Sequence, residues 1–251
     1  MLKRFSIKVT NEEGKKMRVA IMQPYFFPYI GYFSLLQAAD MFVILDTVQF
    51  QRKSWMTRNK IITLKGDSTY IKLPVKKAPL GTLIKQIDIN NEIDWKTTLF
   101  NQLLVYKKAP FYTETIDIVK KILNADMNKL VDINKNILLE IINYLKLDCE
   151  IVVFSEMGIN VEVVNSADEW ALNISKALKA REYINSPGGV SFFNKKKYKD
   201  NDIELKFINN NLNQYKQYHL DFVPGLSIID VMMFNSIEAI HQMLADYEEI
   251  Q

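Results

Sequence analysis

From Arg18 to Gln23 the chain reads Arg-Val-Ala-Ile-Met-Gln, a short apolar run halted by Pro24. A run of that length beside a turn signal suits a strand covered on both faces. After the turn Pro24–Pro28, the stretch Ile30–Ala39 places Ile30, Phe33, Leu35 and Leu36 at helical spacing, and Met41–Leu45 is a second apolar run ending at Asp46. The order strand, turn, helix, strand predicts a compact βαβ unit with a right-handed crossover. Lys60–Leu64 and Thr69–Val75 read as strands joined by a hairpin-like turn, Lys65–Ser68. Helices are predicted over Trp95–Tyr106, Tyr112–Leu123 and Lys129–Leu147, the last with a core stripe of Ile133, Ile137, Leu138, Ile141 and Leu145. Strands then return at Glu150–Phe154, Glu182–Asn185 and Glu204–Ile208. The helices between and after them are Ser166–Lys179, with Ser166 and Glu169 at capping-box spacing, and Ser227–Tyr247. Alternation at both ends of the chain predicts an α/β fold with a mostly parallel sheet and a helical insertion. Residues 18–251 are expected to form a single α/β domain with a helical subdomain over about 95–147.

Composition narrows the class. Of 251 residues, 48% are apolar and 24% charged, which suits a globular chain with a sizeable core and excludes a disordered or disulfide-built one. The net charge is +3, yet Lys3, Arg4, Lys8, Lys15, Lys16 and Arg18 against Glu12 and Glu13 give residues 1–18 a charge of +4. The basic pI therefore reads as a property of a flexible basic leader, 1–17, with Met17 an alternative start, and DNA is not an expected partner. The single cysteine, Cys149, reads as a half-buried structural thiol, and a reducing, cytoplasmic setting is expected. Val19–Ala39 has no formal charge, but Pro24, Pro28, Gln23 and Gln37 argue against a membrane span. The two histidines, His219 and His241, have no cysteine or histidine partner at ligand spacing, and no metal site is expected.

Open parallel sheets bind ligands beyond the carboxyl ends of their strands, so the polar residues just after each strand are the candidates. The first strand is followed by Gln23, Tyr29, Gly31 and Tyr32, the second by Asp46, Gln49, Arg52, Lys53, Trp55, Arg58 and Asn59, and Glu182–Asn185 by Ser186, Gly188 and Gly189. Arginine holds phosphate or carboxylate through paired donors, tryptophan covers a sugar or base, and a Gly-rich turn offers backbone donors to phosphate. Asp46 is a candidate base, magnesium ligand or ribose acceptor, and Asp230 sits in the first turn of the helix that Ser227 would cap. Pro28-Tyr29-Ile30-Gly31-Tyr32 occupies the place where class I synthetases and related nucleotidyltransferases carry His-x-Gly-His, in Rossmann-like sheets of HUP-like type. Tyrosines stand where those histidines would be, and tyrosine carries no positive charge near neutral pH.

Gln23-Pro24, Pro28–Tyr32, Asp46 with Gln49-Phe50, Arg58-Asn59 with Ile61, Asn185-Ser-Pro-Gly-Gly189 and Phe222-Val-Pro-Gly-Leu-Ser-Ile-Ile-Asp230, in that order, resemble the WbqC-like protein family. The resemblance runs from about Arg18 to the C-terminus. It implies a place in bacterial O-antigen or surface-polysaccharide biosynthesis, and some members of that family are proposed glycine transferases. The activity it implies is transfer of an amino acid such as glycine to the amine of a nucleotide-linked amino sugar, with a nucleotide or activated aminoacyl donor as ligand. On that reading Asp46 or Asp230 accepts the amine's proton and Arg58 or Asn59 stabilises the oxyanion. Gln23, Tyr29, Gly31, Tyr32, Gln49, Lys53, Trp55, Asn185, Ser186, Gly188 and Gly189 bind substrate. A nucleotidyltransferase and a non-catalytic nucleotide-sugar binder are the alternatives.

Overall fold

Strand β1 (Arg18–Met22) lies at the middle of a six-stranded sheet, paired in parallel with β2 (Met41–Ile44) on one side and β6 (Glu182–Asn185) on the other. In this computed structural model, which describes residues 16–218 and 221–250, the strand order is β5-β2-β1-β6-β7-β8. Here β5 is Glu150–Val153, β7 is Glu204–Asn210 and β8 is Tyr247–Ile250. All neighbouring pairs are parallel except β7 with β8, which closes the edge antiparallel. The α/β fold with a mostly parallel, Rossmann-like sheet is therefore the one the alternation predicts.

Successive side chains of a strand face opposite sides, and the two faces are buried separately. Ala20, Phe42, Ile44, Ile184 and Ile208 pack under α1 (Ile30–Ala38), α4 (Leu130–Leu145), α7 (Ile228–Phe234) and α8 (Ile237–Ala245). Val19, Ile21, Met41, Val43, Tyr183 and Phe207 pack under α5 (Glu169–Ala177) and Tyr198 of α6 (Lys195–Lys199). The first core extends through α2 (Trp95–Leu103) and α3 (Tyr112–Asn124). It also takes in Ile61 and Ile71 of a separate antiparallel hairpin, β3 (Arg58–Ile62) and β4 (Ser68–Lys72).

Several boundaries differ from the sequence reading for local reasons. The closing helix breaks at Asn235-Ser236: the Ser236 hydroxyl caps α8 by accepting from Ala239 N, and Tyr247 onward becomes the edge strand β8. Helix α5 starts at Glu169 rather than Ser166, because the Ser166 hydroxyl turns to Asp168 and the Glu169 carboxylate accepts from Asn165 N. Lys195–Lys199 forms a short helix, and Lys197 pairs with Asp168 and Glu169. The readings on Met1–Lys15 and on His219 lie outside the described residues. Cys149 is nearly buried and its thiol is pushed up to about 12, chiefly by desolvation, which keeps it protonated and unreactive at neutral pH. No described helix is long and apolar enough to cross a membrane.

Candidate functional site

The chain leaves β1 in opposite directions: α1 carries it to β2 on one side, and α5 returns it from β5 to β6 on the other. The sheet therefore has its topological switch between β1 and β6, where the connecting segments diverge and leave a crevice at the strands' carboxyl ends. A cleft of about 700 Å³ occupies that position. Met22 and Gln23 enter it from β1, Leu45 and the segment Thr47–Gln51 from β2, and Asn185, Ser186, Gly188 and Gly189 from β6. Trp170 and Ala171 of α5 and the pair Phe192-Phe193 complete the wall.

None of the lining residues carries a formal charge. The polar groups are amides and hydroxyls: Gln23, Gln49, Gln51, Asn185, Ser186, Thr47 and Tyr25. Burial raises the Tyr25 phenol, with a smaller contribution from Tyr29, so its hydroxyl stays protonated. The Thr47 Oγ1 is enclosed without a hydrogen-bond partner, a group that a bound ligand would satisfy. Asn185 is fixed by three bonds, its Nδ2 donating to the Tyr183 hydroxyl and its Oδ1 accepting from Ser186 N at 2.6 Å and from Ser186 Oγ at 3.3 Å. Trp170 is held edge-to-face on Phe154 at 5.9 Å, and Phe193 likewise on Tyr183 at 5.5 Å. Aromatic faces beside neutral amides and hydroxyls suit a sugar or a nucleoside base.

The sequence motifs divide sharply here. Gln23, Gln49, Asn185, Ser186, Gly188 and Gly189 line the cleft; Tyr29, Gly31, Tyr32, Asp46, Lys53, Trp55, Arg58, Asn59 and Asp230 do not. Gly31 is closed off by Tyr29, since a Cβ there would stand 2.6 Å from the Tyr29 ring. Its glycine makes room for a tyrosine rather than for a phosphate. Gly31→Ala is expected to lose about 1–2 kcal/mol of stability by overpacking, seen as a lower Tm, with ligand affinity unchanged; loss of affinity at unchanged Tm would return Gly31 to the site.

Tyr32 is wholly buried, and its hydroxyl donates to the Gln23 carbonyl at 2.8 Å. Asp46 is also buried: its carboxylate accepts from Ser155 N at 3.0 Å and Ser155 Oγ at 2.5 Å, tying the end of β2 to the turn after β5. The Asn59 amide donates to the Phe26 and Phe27 carbonyls, which removes it as an oxyanion donor. Phe27 adopts a left-handed φ of 42°, a costly conformation for a bulky residue. It is held by Asn59 and by Ser227 Oγ, which donates to the Phe27 carbonyl at 2.8 Å. Asn134 donates to the Pro24 and Met56 carbonyls, so three buried polar side chains clamp the turn that presents Gln23 and Tyr25 to the cleft.

Asp230 belongs to a second buried centre. Its carboxylate accepts from Tyr106 and Tyr215 hydroxyls, each at 2.6 Å, and from Gln217 Nε2 at 3.0 Å. Ile62 N in turn donates to the Tyr106 hydroxyl, and Gln217 Oε1 accepts from Val223 N. Burial pushes the Asp230 carboxyl above its ordinary value, against the lowering effect of its three donors.

Sequence reasoning missed Tyr25, Thr47, Gln51, Trp170, Phe192 and Phe193 as cleft residues. Tyr25, Thr47 and Gln51 were legible as polar neighbours of Gln23 and Gln49, and Phe192, 51% exposed, as an aromatic in a loop after a Gly-rich turn. Trp170 carried no signal apart from helical periodicity.

A family model described as the WbqC-like protein family matches residues 23–242. The uncharacterized protein Rv1507c of Mycobacterium tuberculosis is 26% identical over 229 residues, covering 88% of this chain and 95% of that protein. No solved structure matches.

Proposed function

This chain belongs to the WbqC-like protein family, and from that premise and the cleft at its sheet switch point we propose that it is a transferase of surface-polysaccharide (O-antigen) biosynthesis. It transfers an amino acid such as glycine to the amine of a nucleotide-linked amino sugar. The observation that carries this reading is the uncharged, aromatic-walled cleft at the carboxyl ends of β1, β2 and β6. The sugar or base lies against Trp170 and Phe192, and its hydroxyls meet the amides of Gln23, Gln49, Gln51 and Asn185 and the hydroxyls of Thr47 and Ser186.

Attack of a neutral amine on an activated acyl carbonyl depends chiefly on alignment and on keeping competing water out. A desolvating cleft favours the neutral amine over the ammonium, and the amine's remaining proton leaves after attack. Asp46 and Asp230 are committed to internal hydrogen bonds and hold structure instead. With Tyr29 closing Gly31 and no cationic side chain in the lining, the arrangement gives little support to nucleotidyl transfer.

A second reading, ligand binding without turnover, is favoured by one observation: the lining holds no carboxylate, histidine or lysine. A panel of nucleotides, nucleotide sugars and nucleotide-linked amino sugars separates the readings. At a ligand concentration of about 100 Kd the folded state gains about 2.7 kcal/mol, which for a chain of this size raises Tm by roughly 5–10 °C. Amino-sugar nucleotides are expected to give the largest shift and, with an activated glycine donor, an N-glycyl product by mass spectrometry. A shift without product would establish the binding reading, and no shift from any member would refute both.

A further inference from the structure

The charge of the folded body is unevenly placed. Between Arg52 and Lys85 there are nine lysines and arginines against one acid, Asp67, a net charge of +8. None of the nine forms an ion pair with an acidic side chain among the described residues, although lysines elsewhere, such as Lys129 with Asp88 and Lys121 with Glu140, are paired. Residues 19–251 still sum to −1, so the rest of the body offsets this local excess.

Three of the nine, Arg58, Lys60 and Lys72, sit on one face of the β3–β4 hairpin. Asn59, Ile61 and Ile71 are buried beneath it, so Arg58, Lys60, Tyr70 and Lys72 lie on the opposite face. Arg58 and Lys72 are direct cross-strand partners, as are Lys60 and Tyr70. Like charges directly opposite each other destabilise a hairpin, and nothing acidic among the described residues relieves this pair. The Arg58 guanidinium lies over the Tyr70 ring at 4.4 Å, Lys60 Nζ is 5.7 Å from the same ring, and Trp55 packs beside it at 6.4 Å while remaining 42% exposed. The Arg58 Nε has no hydrogen-bond partner. Repelling cations interleaved with the half-buried Tyr70 ring and the exposed Trp55 ring are complementary to a phosphate backbone carrying stackable bases.

The face also adjoins the cleft. Gln49 and Gln51 line the cleft, and the same segment continues to Trp55, whose carbonyl accepts from Phe26 N beside the cleft residue Tyr25. We propose that this hairpin face docks RNA, and that the activated amino acid is delivered as an ester on the RNA's 3′-terminal ribose. The identity of the donor rests on the acyl-transfer reading above. In the transfer the ester C–O bond breaks and an amide C–N bond forms. The ribose hydroxyl leaves with the proton that the amine gives up.

Exposed Leu64 (74%) and Leu80 (95%) raise the alternative of an anionic membrane surface. However, Leu64 stands in the turn between β3 and β4 and Leu80 in the loop after β4, both outside the strands that carry Arg58, Lys60, Tyr70 and Lys72. That cluster matches bases rather than acyl chains.

The test is fluorescence anisotropy of a labelled RNA stem with a single-stranded 3′ end, titrated with the full chain, with heparin and phosphatidylglycerol vesicles as parallel probes. Binding is expected with a log–log salt slope of about −3, corresponding to roughly four neutralised phosphates. Lys60→Glu combined with Lys72→Glu is expected to weaken RNA binding at least about tenfold. Trp55→Ala is expected to weaken it about tenfold through lost stacking while leaving heparin binding unchanged. Equal effects of Trp55→Ala on RNA and heparin, vesicle binding without RNA binding, or no RNA binding would each overturn the proposal. Nucleotide-sugar stabilisation is measured on the same protein; if it persists when RNA binding fails, the delivery route falls and the cleft reading stands.

Discussion

Asp230→Ala is expected to be the most damaging single substitution outside the apolar core, lowering stability by about 3–4 kcal/mol. It strips the acceptor from Tyr106, Tyr215 and Gln217 together, and these three come from the segment after α2 and from the loop that leads to α7. An orphaned buried donor costs about 1–3 kcal/mol, and the three costs overlap because the side chains share one centre. For a chain of this length the Tm is expected to fall by roughly 10 °C. Asp230→Asn keeps the shape and part of the acceptor set, and it is expected to cost less. The pH dependence separates them further. Because burial raises the Asp230 carboxyl in the folded state, folding binds its proton more tightly. Its stabilising contribution is fully present below the unfolded carboxyl's value and is lost as pH rises through the folded one. The wild type should therefore gain stability relative to Asp230→Asn as pH is lowered from neutral, measured by thermal unfolding across that range. A pH-independent difference would place the Asp230 carboxyl at its ordinary value.

Gly188→Trp is expected to abolish ligand binding while leaving the fold intact. Gly188 lies in the cleft lining on the turn after β6, and a Cβ there meets nothing within 4 Å. A side chain can therefore start there without a clash at its Cβ, and an indole beyond it takes up the ligand's room. Gly189 next to it behaves differently: a Cβ would stand 2.8 Å from the Phe193 ring, so this glycine serves packing. The expected result for Gly188→Trp is an unliganded Tm within about 2 °C of wild type and no ligand-induced shift. Retention of the shift would move the binding site out of the cleft.

The motifs that make this chain recognisable are mostly the ones that build it. Tyr32, Asn59 and Ser227 each fix the β1–α1 turn from a different element, and Asp46 and Asp230 are buried anchors. A carboxylate after a strand reads the same in sequence whether it faces a ligand or, as Asp46 does, a serine 109 residues away in another element; only the fold decides. The parallel sheet was legible, since alternation of apolar runs and helical stripes specifies it, whereas the strand order, the placement of β8 and the break at Asn235-Ser236 depend on packing, capping and edge pairing that periodicity does not encode. The six candidate residues that line the cleft all end or follow β1, β2 or β6, neighbouring strands at the switch point. The missed aromatics, Trp170 and Phe193, come from the α5–α6 layer, which packs over that end of the sheet.

The account depends on the crevice between β1 and β6 being where the ligand sits. The direct measurement is a crystal structure of the chain with the amino-sugar nucleotide that stabilises it most. Density for the sugar or base against Trp170, within hydrogen-bonding distance of Thr47 Oγ1 and Asn185, is the expected result; an ordered ligand elsewhere with this crevice holding only water would contradict it.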